Sequence, residues 1–185
     1  MQKFKTLGDV IALAEFAHRN QVDKAGMPYI EHPKRVMAAV QAQGHMPYVQ
    51  MAAVLHDITE DTAFTPEMLI ELGVPEAAVD IVTLLDRDFS ATRFQADNIG
   101  RDITYYEGQT RKYYYTALGP DGADEYYYTN IKANPGALAV KLADIHDNTQ
   151  HWRLSYLPEE TQTRLIRKYS KATDILLGYR VRKGL

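Results

Sequence analysis

MAAVLHDITEDT, from Met51 to Thr62, places His56, Asp57, Glu60 and Asp61 directly after an apolar run. As a helix it pairs His56 with Glu60 and Asp57 with Asp61 at i,i+4, with Asp57 and Glu60 at i,i+3, so one turn would carry the whole cluster. Three carboxylates near a helix C-terminus oppose its macrodipole, and like charges at that spacing cost roughly a few tenths of a kcal/mol each. A basic side chain or a cation is therefore expected beside them. The competing structural reading is a helix that ends in a solvated, charged turn.

Composition bounds the alternatives. The chain has 185 residues, a formal net charge of −3 and no cysteine. That length predicts one domain over 1–185 with one sizeable core, and room for one enzyme rather than two. The mildly acidic balance, with pI near 6.1, gives no basic surface for a nucleic-acid backbone. Without cysteine there is no disulfide, no thiolate zinc site and no cysteine nucleophile, so a metal must be held by His, Asp or Glu. The N-terminal stretch lacks the apolar core of a signal peptide, and no run approaches the roughly 18 apolar residues of a membrane span. A soluble, cytoplasmic protein is expected, with no membrane partner and with homo-oligomerisation left open.

Outward from the opening stretch the chain reads as helices. Leu7, Val10, Ile11, Ala14 and Ala17 form an apolar stripe. A polar connection from Asn20 to Pro33 carries Lys24 and His32, and a short helix is expected from Arg35 to Ala42. Thr65 and Pro66 read as a cap and a first helical residue. Ala78, Ile81, Val82 and Leu85 share one face of the next helix. From about 97 to 130 the periodicity fails: eight of the thirteen tyrosines lie between Tyr105 and Tyr128, and Gly119-Pro120-Asp121-Gly122 is a turn signal. An irregular or β-hairpin insertion is the expectation there. Helix returns over Pro135–Trp152, with Lys141, Asp144 and Asn148 on one polar stripe. A last amphipathic helix follows Pro158, carrying Leu165, Tyr169, Ala172, Leu176 and Tyr179. The predicted fold class is all-α, with one insertion.

His32, His56, Asp57 and Asp144 make a set of two imidazoles and two carboxylates drawn from three segments. Mixed nitrogen and oxygen donors with room for water suit manganese, iron or cobalt. Such an ion lowers the pKa of bound water and polarises a phosphoryl oxygen. Glu60 and Asp61, one turn on, are placed to orient or deprotonate that water.

Three segments, HRNQVDKAGMPYIEHP, AAVLHDITEDT and KANPGALAVKLADIHDN, resemble the motifs of the HD-domain hydrolases that degrade the guanosine alarmones pppGpp and ppGpp. The resemblance runs from about His18 to Asn148. It implies an HD-type helical bundle, metal ligation by His32, His56, Asp57 and Asp144, and a catalytic acidic pair in Glu60 and Asp61. It also implies substrate contacts from Lys24 and Asn148, manganese as the usual ion, and hydrolytic removal of a 3′-pyrophosphate. Most of the chain is used by these motifs, so a synthetase activity is not expected. Lys141 reads either as a phosphate contact or as the neutraliser of Asp144 at i,i+3. His18 reads as a buried histidine that orients the site from behind the ligands.

Three positions depart from that pattern: Asp23 and Gln150 replace arginines, and so does Ile145. All three fall where the family recognises its substrate, whereas the metal positions are kept. A nucleotide phosphohydrolase is expected, with ppGpp first and another nucleotide such as NADPH or a nucleoside triphosphate next. The alternative from another class is a non-catalytic nucleotide-binding module.

Overall fold

The computed structural model describes the backbone of residues 6–99 and 110–179, with side chains over 6–97 and 114–179. Among the described residues the order is α1 (Leu7–Ala17), α2 (Glu31–Ala42), α3 (Pro47–Leu55), α4 (Ile58–Asp61), α5 (Pro66–Glu71), α6 (Glu76–Leu85), α7 (Arg87–Ile99), α8 (Thr110–Lys132), α9 (Pro135–Asn148), α10 (His151–Leu154) and α11 (Glu159–Leu177). No strand is present among them beyond one isolated bridge between Val22 and Pro28.

α3 is the helix around which the others pack. Val49 and every residue from Met51 to Leu55 are buried, and a helix apolar on all sides belongs in an interior. It packs against α1, α2, α6 and α9. Val10 and Ala14 of α1, Val36 and Val40 of α2, and Ile81 and Val82 of α6 close the core around it. Burial of the predicted stripes holds at Ala78, Leu85, Leu165, Ala172 and Leu176, but Tyr179 is exposed.

Local chemistry sets the helix ends. Thr6 and Asp9 form a reciprocal capping box at the start of α1, each accepting the other's backbone N–H at 3.2 Å. Thr65 caps α5 ahead of Pro66, as its sequence suggests. Asn134 Oδ1 accepts from the N–H groups of Gly136 and Ala137 at 2.9 and 3.0 Å, which starts α9. Gly136 then lets α9 approach α3 and α6, since a Cβ there would lie 2.6 Å from Ile81 Cδ1 and 3.4 Å from Val49 Cγ2. Gly136→Ala is expected to destabilise by about 1–3 kcal/mol, read as a lower urea midpoint with an unchanged slope.

Four boundaries differ from the sequence reading. The opening stretch is not one continuous helix: α3 stops at Leu55, His56 is its C-cap, and Asp57, at φ −104° and ψ 0°, precedes α4. The break separates the His56–Asp57 pair from Glu60 and Asp61. α2 begins at Glu31 rather than after Pro33, because a proline in the first turn loses no intrahelical bond. The expected helix Pro135–Trp152 divides at Thr149 into α9 and α10.

The fourth difference is the tyrosine-rich segment. Within the described residues it is helical, not a hairpin: α7 and α8 pack together, and the Gly119-Pro120 turn signal appears as a kink, with Gly119 at φ 68°. Residues 100–109, which hold Tyr105 and Tyr106, lie outside the described residues. Tyr114 and Tyr126 meet Phe94 edge-on at centroid distances of 5.5 and 5.2 Å, and Tyr114 donates to the Ala123 carbonyl at 2.5 Å. β propensity records fit to a half-buried surface, and a helical pair supplies such a surface equally well.

Candidate metal centre and its cavity

Three elements bring four ligand-type side chains together. The first turn of α2 supplies His32, the break between α3 and α4 supplies His56 and Asp57, and α9 supplies Asp144. His56 Nε2 lies 3.0 Å from Asp57 Oδ2 and 3.8 Å from Asp144 Oδ1. His32 Nε2 lies 3.2 Å from Asp144 Oδ1 and 3.8 Å from Asp57 Oδ2. Donor atoms of His32, His56 and Asp57 all fall within 4.8 Å of one another, a spacing that could hold a metal ion.

The far side of each ring is anchored. His56 Nδ1 sits 2.9 Å from the Ala53 carbonyl, which can only accept, so Nδ1 keeps a proton and Nε2 is the nitrogen that faces the cluster. That Nε2 is buried without an aligned hydrogen bond. His32 Nδ1 lies 2.7 Å from Asp147 Oδ2. Arg153 Nη1 approaches the same nitrogen at 2.9 Å and also bonds Asp147, leaving the carboxylate as the acceptor both donors share. Both imidazoles thus present Nε2 inward, the arrangement in which histidines ligate metals.

Electrostatics agree with this geometry. Burial works against the imidazolium, but Asp57 and Asp144 overcome it and push His56 up to about 9. His32 is also raised, with burial opposed by Asp144 and Asp147. Burial would raise Asp57 and Asp144, yet His56 holds the first far below the usual carboxylate range, and Lys141 and His32 do the same for the second. A site that draws protons onto two rings in this way favours positive charge, and a divalent cation would displace those protons on binding.

Around these four side chains, Lys141 Nζ and Asn148 Nδ2 donate to the two oxygens of Asp144 at 2.9 and 2.5 Å. Lys141 therefore neutralises Asp144 here. Tyr29 donates to Asp57 Oδ2 at 2.5 Å, and its hydroxyl is pushed well above the phenol range by burial and then by Asp57 and Asp61. His18 is buried behind Tyr29, at 5.1 Å between rings, with Nδ1 2.7 Å from Gln21 Oε1. Glu60 stands at the exposed edge of the cluster, where its Oε1 accepts the Arg87 backbone N–H at 3.0 Å and partial burial of the carboxyl raises it. Asp61 is exposed and its carbonyl accepts from Gln21.

A cavity of about 500 Å³ opens beside the cluster, lined among others by Lys24, Asp57, Glu60, Lys141, Asp144 and Asn148. Asp61 is not among its lining residues. The sequence reading assigned no role to Asp147, Arg153 or Arg87, and it noted Tyr29 beside Lys24 and His32 without giving it one. Only Asp147 carried a signal, its i,i+3 spacing from Asp144; its partners Arg35 and Arg153 come from other helices, with Arg35 Nε 2.7 Å from Asp147 Oδ1.

No family model matches the chain. Over 158 residues, 84% of this chain and 16% of the relative, it is 32% identical to a GTP pyrophosphokinase of Streptomyces coelicolor. Over 87 residues, 45% of this chain and 13% of the relative, it is 44% identical to the guanosine-3′,5′-bis(diphosphate) 3′-pyrophosphohydrolase of Haemophilus influenzae. A solved structure, described as a metazoan orthologue of SpoT that hydrolyses ppGpp, matches with a TM-score of 0.67 at 21% identity, covering 98% of this chain and 90% of that one. The chain is ppGpp-hydrolase-like. It spans less than a fifth of the length of the curated relatives it matches.

In this hydrolase-like chain the three departures have different fates. Ile145 is a core residue, 6% exposed. Gln150 turns to His146, its Nε2 2.8 Å from the ring Nε2. Only Asp23 lines the cavity. Its Oδ1 accepts from the Ala25 and Met27 N–H groups at 2.9 and 3.0 Å, and its Oδ2 pairs with Arg153 at 3.5 Å. No helix among the described residues is long and apolar enough to cross a membrane.

Proposed function

We propose that residues 1–185 act as one HD-type domain, a divalent-metal-dependent phosphohydrolase of a nucleotide. The leading substrate is guanosine 3′,5′-bis(diphosphate), cleaved at its 3′-pyrophosphate, and the place of action is the cytoplasm. The observation that carries this reading is the pair of buried, Nε2-inward imidazoles set against a buried carboxylate, Asp144, and a half-buried one, Asp57, at the edge of a cation-lined cavity. The relatives' names supply the substrate class.

His32, His56, Asp57 and Asp144 would hold the metal, with manganese the expected ion. A divalent cation bound there would polarise a phosphoryl oxygen and lower the pKa of water. Glu60, raised by burial and held by the Arg87 N–H, is positioned to take a proton from the attacking water. As water adds to phosphorus, the bond to the 3′ oxygen breaks, that oxygen takes up a proton to become the 3′-hydroxyl of the nucleotide, and the hydrated group is released as pyrophosphate. Asp61 serves as the outer member of the acidic pair, beside Tyr29. Lys24 contacts substrate phosphate, Asn148 fixes Asp144, Lys141 balances its charge, and His18 holds Tyr29 against Asp57.

A manganese-supplemented panel of ppGpp, pppGpp, NADPH and GTP, with products identified by mass, tests this directly. Pyrophosphate release from ppGpp is expected, and a chelator should stop it. Nucleotide binding without turnover under any divalent ion would overturn the reading in favour of a non-catalytic module.

A further inference from the structure

Five cations line the cavity, and three are matched: Arg153 by Asp23 and Asp147, Lys141 by Asp144, and Arg87 by Asp124 at 3.0 Å. Lys24 and Lys168 have no ion-pair partner among the described residues. Lys24 matches a substrate contact by resemblance, whereas Lys168, exposed on α11, has no part in the site described so far.

Lys168 stands in a cationic and aromatic corner. Its Nζ is 5.4 Å from the Tyr169 ring, Lys141 Nζ is 5.8 Å from the Tyr127 ring, and the Arg87 guanidinium lies 4.3 Å from Tyr127 and 5.4 Å from Tyr128. Burial of its stem, and then the charges of Arg87 and Lys141, hold the Lys168 ammonium below the usual lysine range. Arg87 and Lys141 keep carboxylate partners in Asp124 and Asp144, whereas Lys168 has none among the described residues and faces both as like charges, so the wall carries an excess positive charge at Lys168 that an anion would offset. A group carrying two or more charges and several acceptor oxygens answers that need best, and Arg87 adds a planar fork suited to phosphate.

We propose that Lys168, with Arg87 and Lys141, forms a second phosphate subsite, which binds the phosphate group of the nucleotide that is not cleaved. This rests on the proposed nucleotide hydrolysis and gives it an orientation: one phosphate arm at the His–Asp cluster, the other against α11 and the tyrosines of α8. Ligands with phosphates at two positions are then selected over those with one.

Inorganic pyrophosphate, titrated calorimetrically into the protein with chelator present, tests the subsite without any turnover. Wild type should bind, Lys168→Gln should bind at least about tenfold more weakly, and Lys168→Arg should stay close to wild type. Equal binding by wild type and Lys168→Gln, or no binding by wild type, overturns the proposal. Thermal melting of both variants identifies a folding defect, and the arginine variant then carries the comparison. With turnover, Lys168→Gln should raise KM for ppGpp about tenfold at nearly constant kcat, while a guanosine 3′-diphosphate lacking the 5′-phosphates should show no change. An enzyme inactive on every nucleotide would sink the proposed function, yet the pyrophosphate titration would still decide the subsite.

Discussion

Asp57→Asn and His56→Ala are each expected to lower kcat/KM at least about a thousandfold, which is about 4 kcal/mol of lost transition-state stabilisation. Asp57→Asn is the gentler probe. It keeps the side-chain shape while removing the charge that lies 3.0 Å from His56 Nε2 and that accepts from Tyr29. His56→Ala removes a fully buried ring and leaves a cavity, so its melting temperature is expected to fall as well. Bound manganese, counted by elemental analysis after gel filtration, should drop in both. Hydrolysis that persists in Asp57→Asn with intact folding would remove the cluster from the mechanism.

Asp147→Ala is the second large effect, and it should appear in metal affinity and in stability together. The carboxylate orients His32 and joins Arg35 to Arg153, with side-chain exposures of 9%, 34% and 14% for Asp147, Arg35 and Arg153. Without it Arg153 keeps one carboxylate partner among the described residues, Asp23 at 3.5 Å, and the His32 ring loses the acceptor that fixes its tautomer. Loss of such an outer partner weakens metal binding roughly 10- to 100-fold. Breaking a mostly buried pair costs roughly 3 kcal/mol. Asp147→Asn should recover much of the folding loss and less of the metal affinity, because it restores an acceptor without the charge. A metal affinity unchanged in Asp147→Ala would show that His32 is held by its packing alone.

The helical class was readable because α1, α6 and α11 each bury one stripe, a pattern of local spacing. α3 was readable for the opposite reason, since an apolar run with no polar face has to be interior. Where the reading failed, the deciding forces were not local. The tyrosines of α8 are packed by Phe94 of another helix, and nothing within their own segment separates that face from the face of a strand. The stop at Leu55 has no glycine or proline to announce it. Glu60 and Asp61, treated together in sequence, part in the fold because only Glu60 lines the cavity, with its carboxylate on the Arg87 N–H.

By itself the sequence singled out His32, His56, Asp57 and Asp144 and the helical segments around them, since side-chain chemistry and short-range periodicity are written along the chain. Tertiary structure alone decided which nitrogen of His32 faces the centre, for that depends on Asp147, 115 positions away. It also decided which cations are left facing the cavity. A tautomer and an unpaired charge are properties of neighbours, and neighbours brought together by packing leave no mark in local spacing.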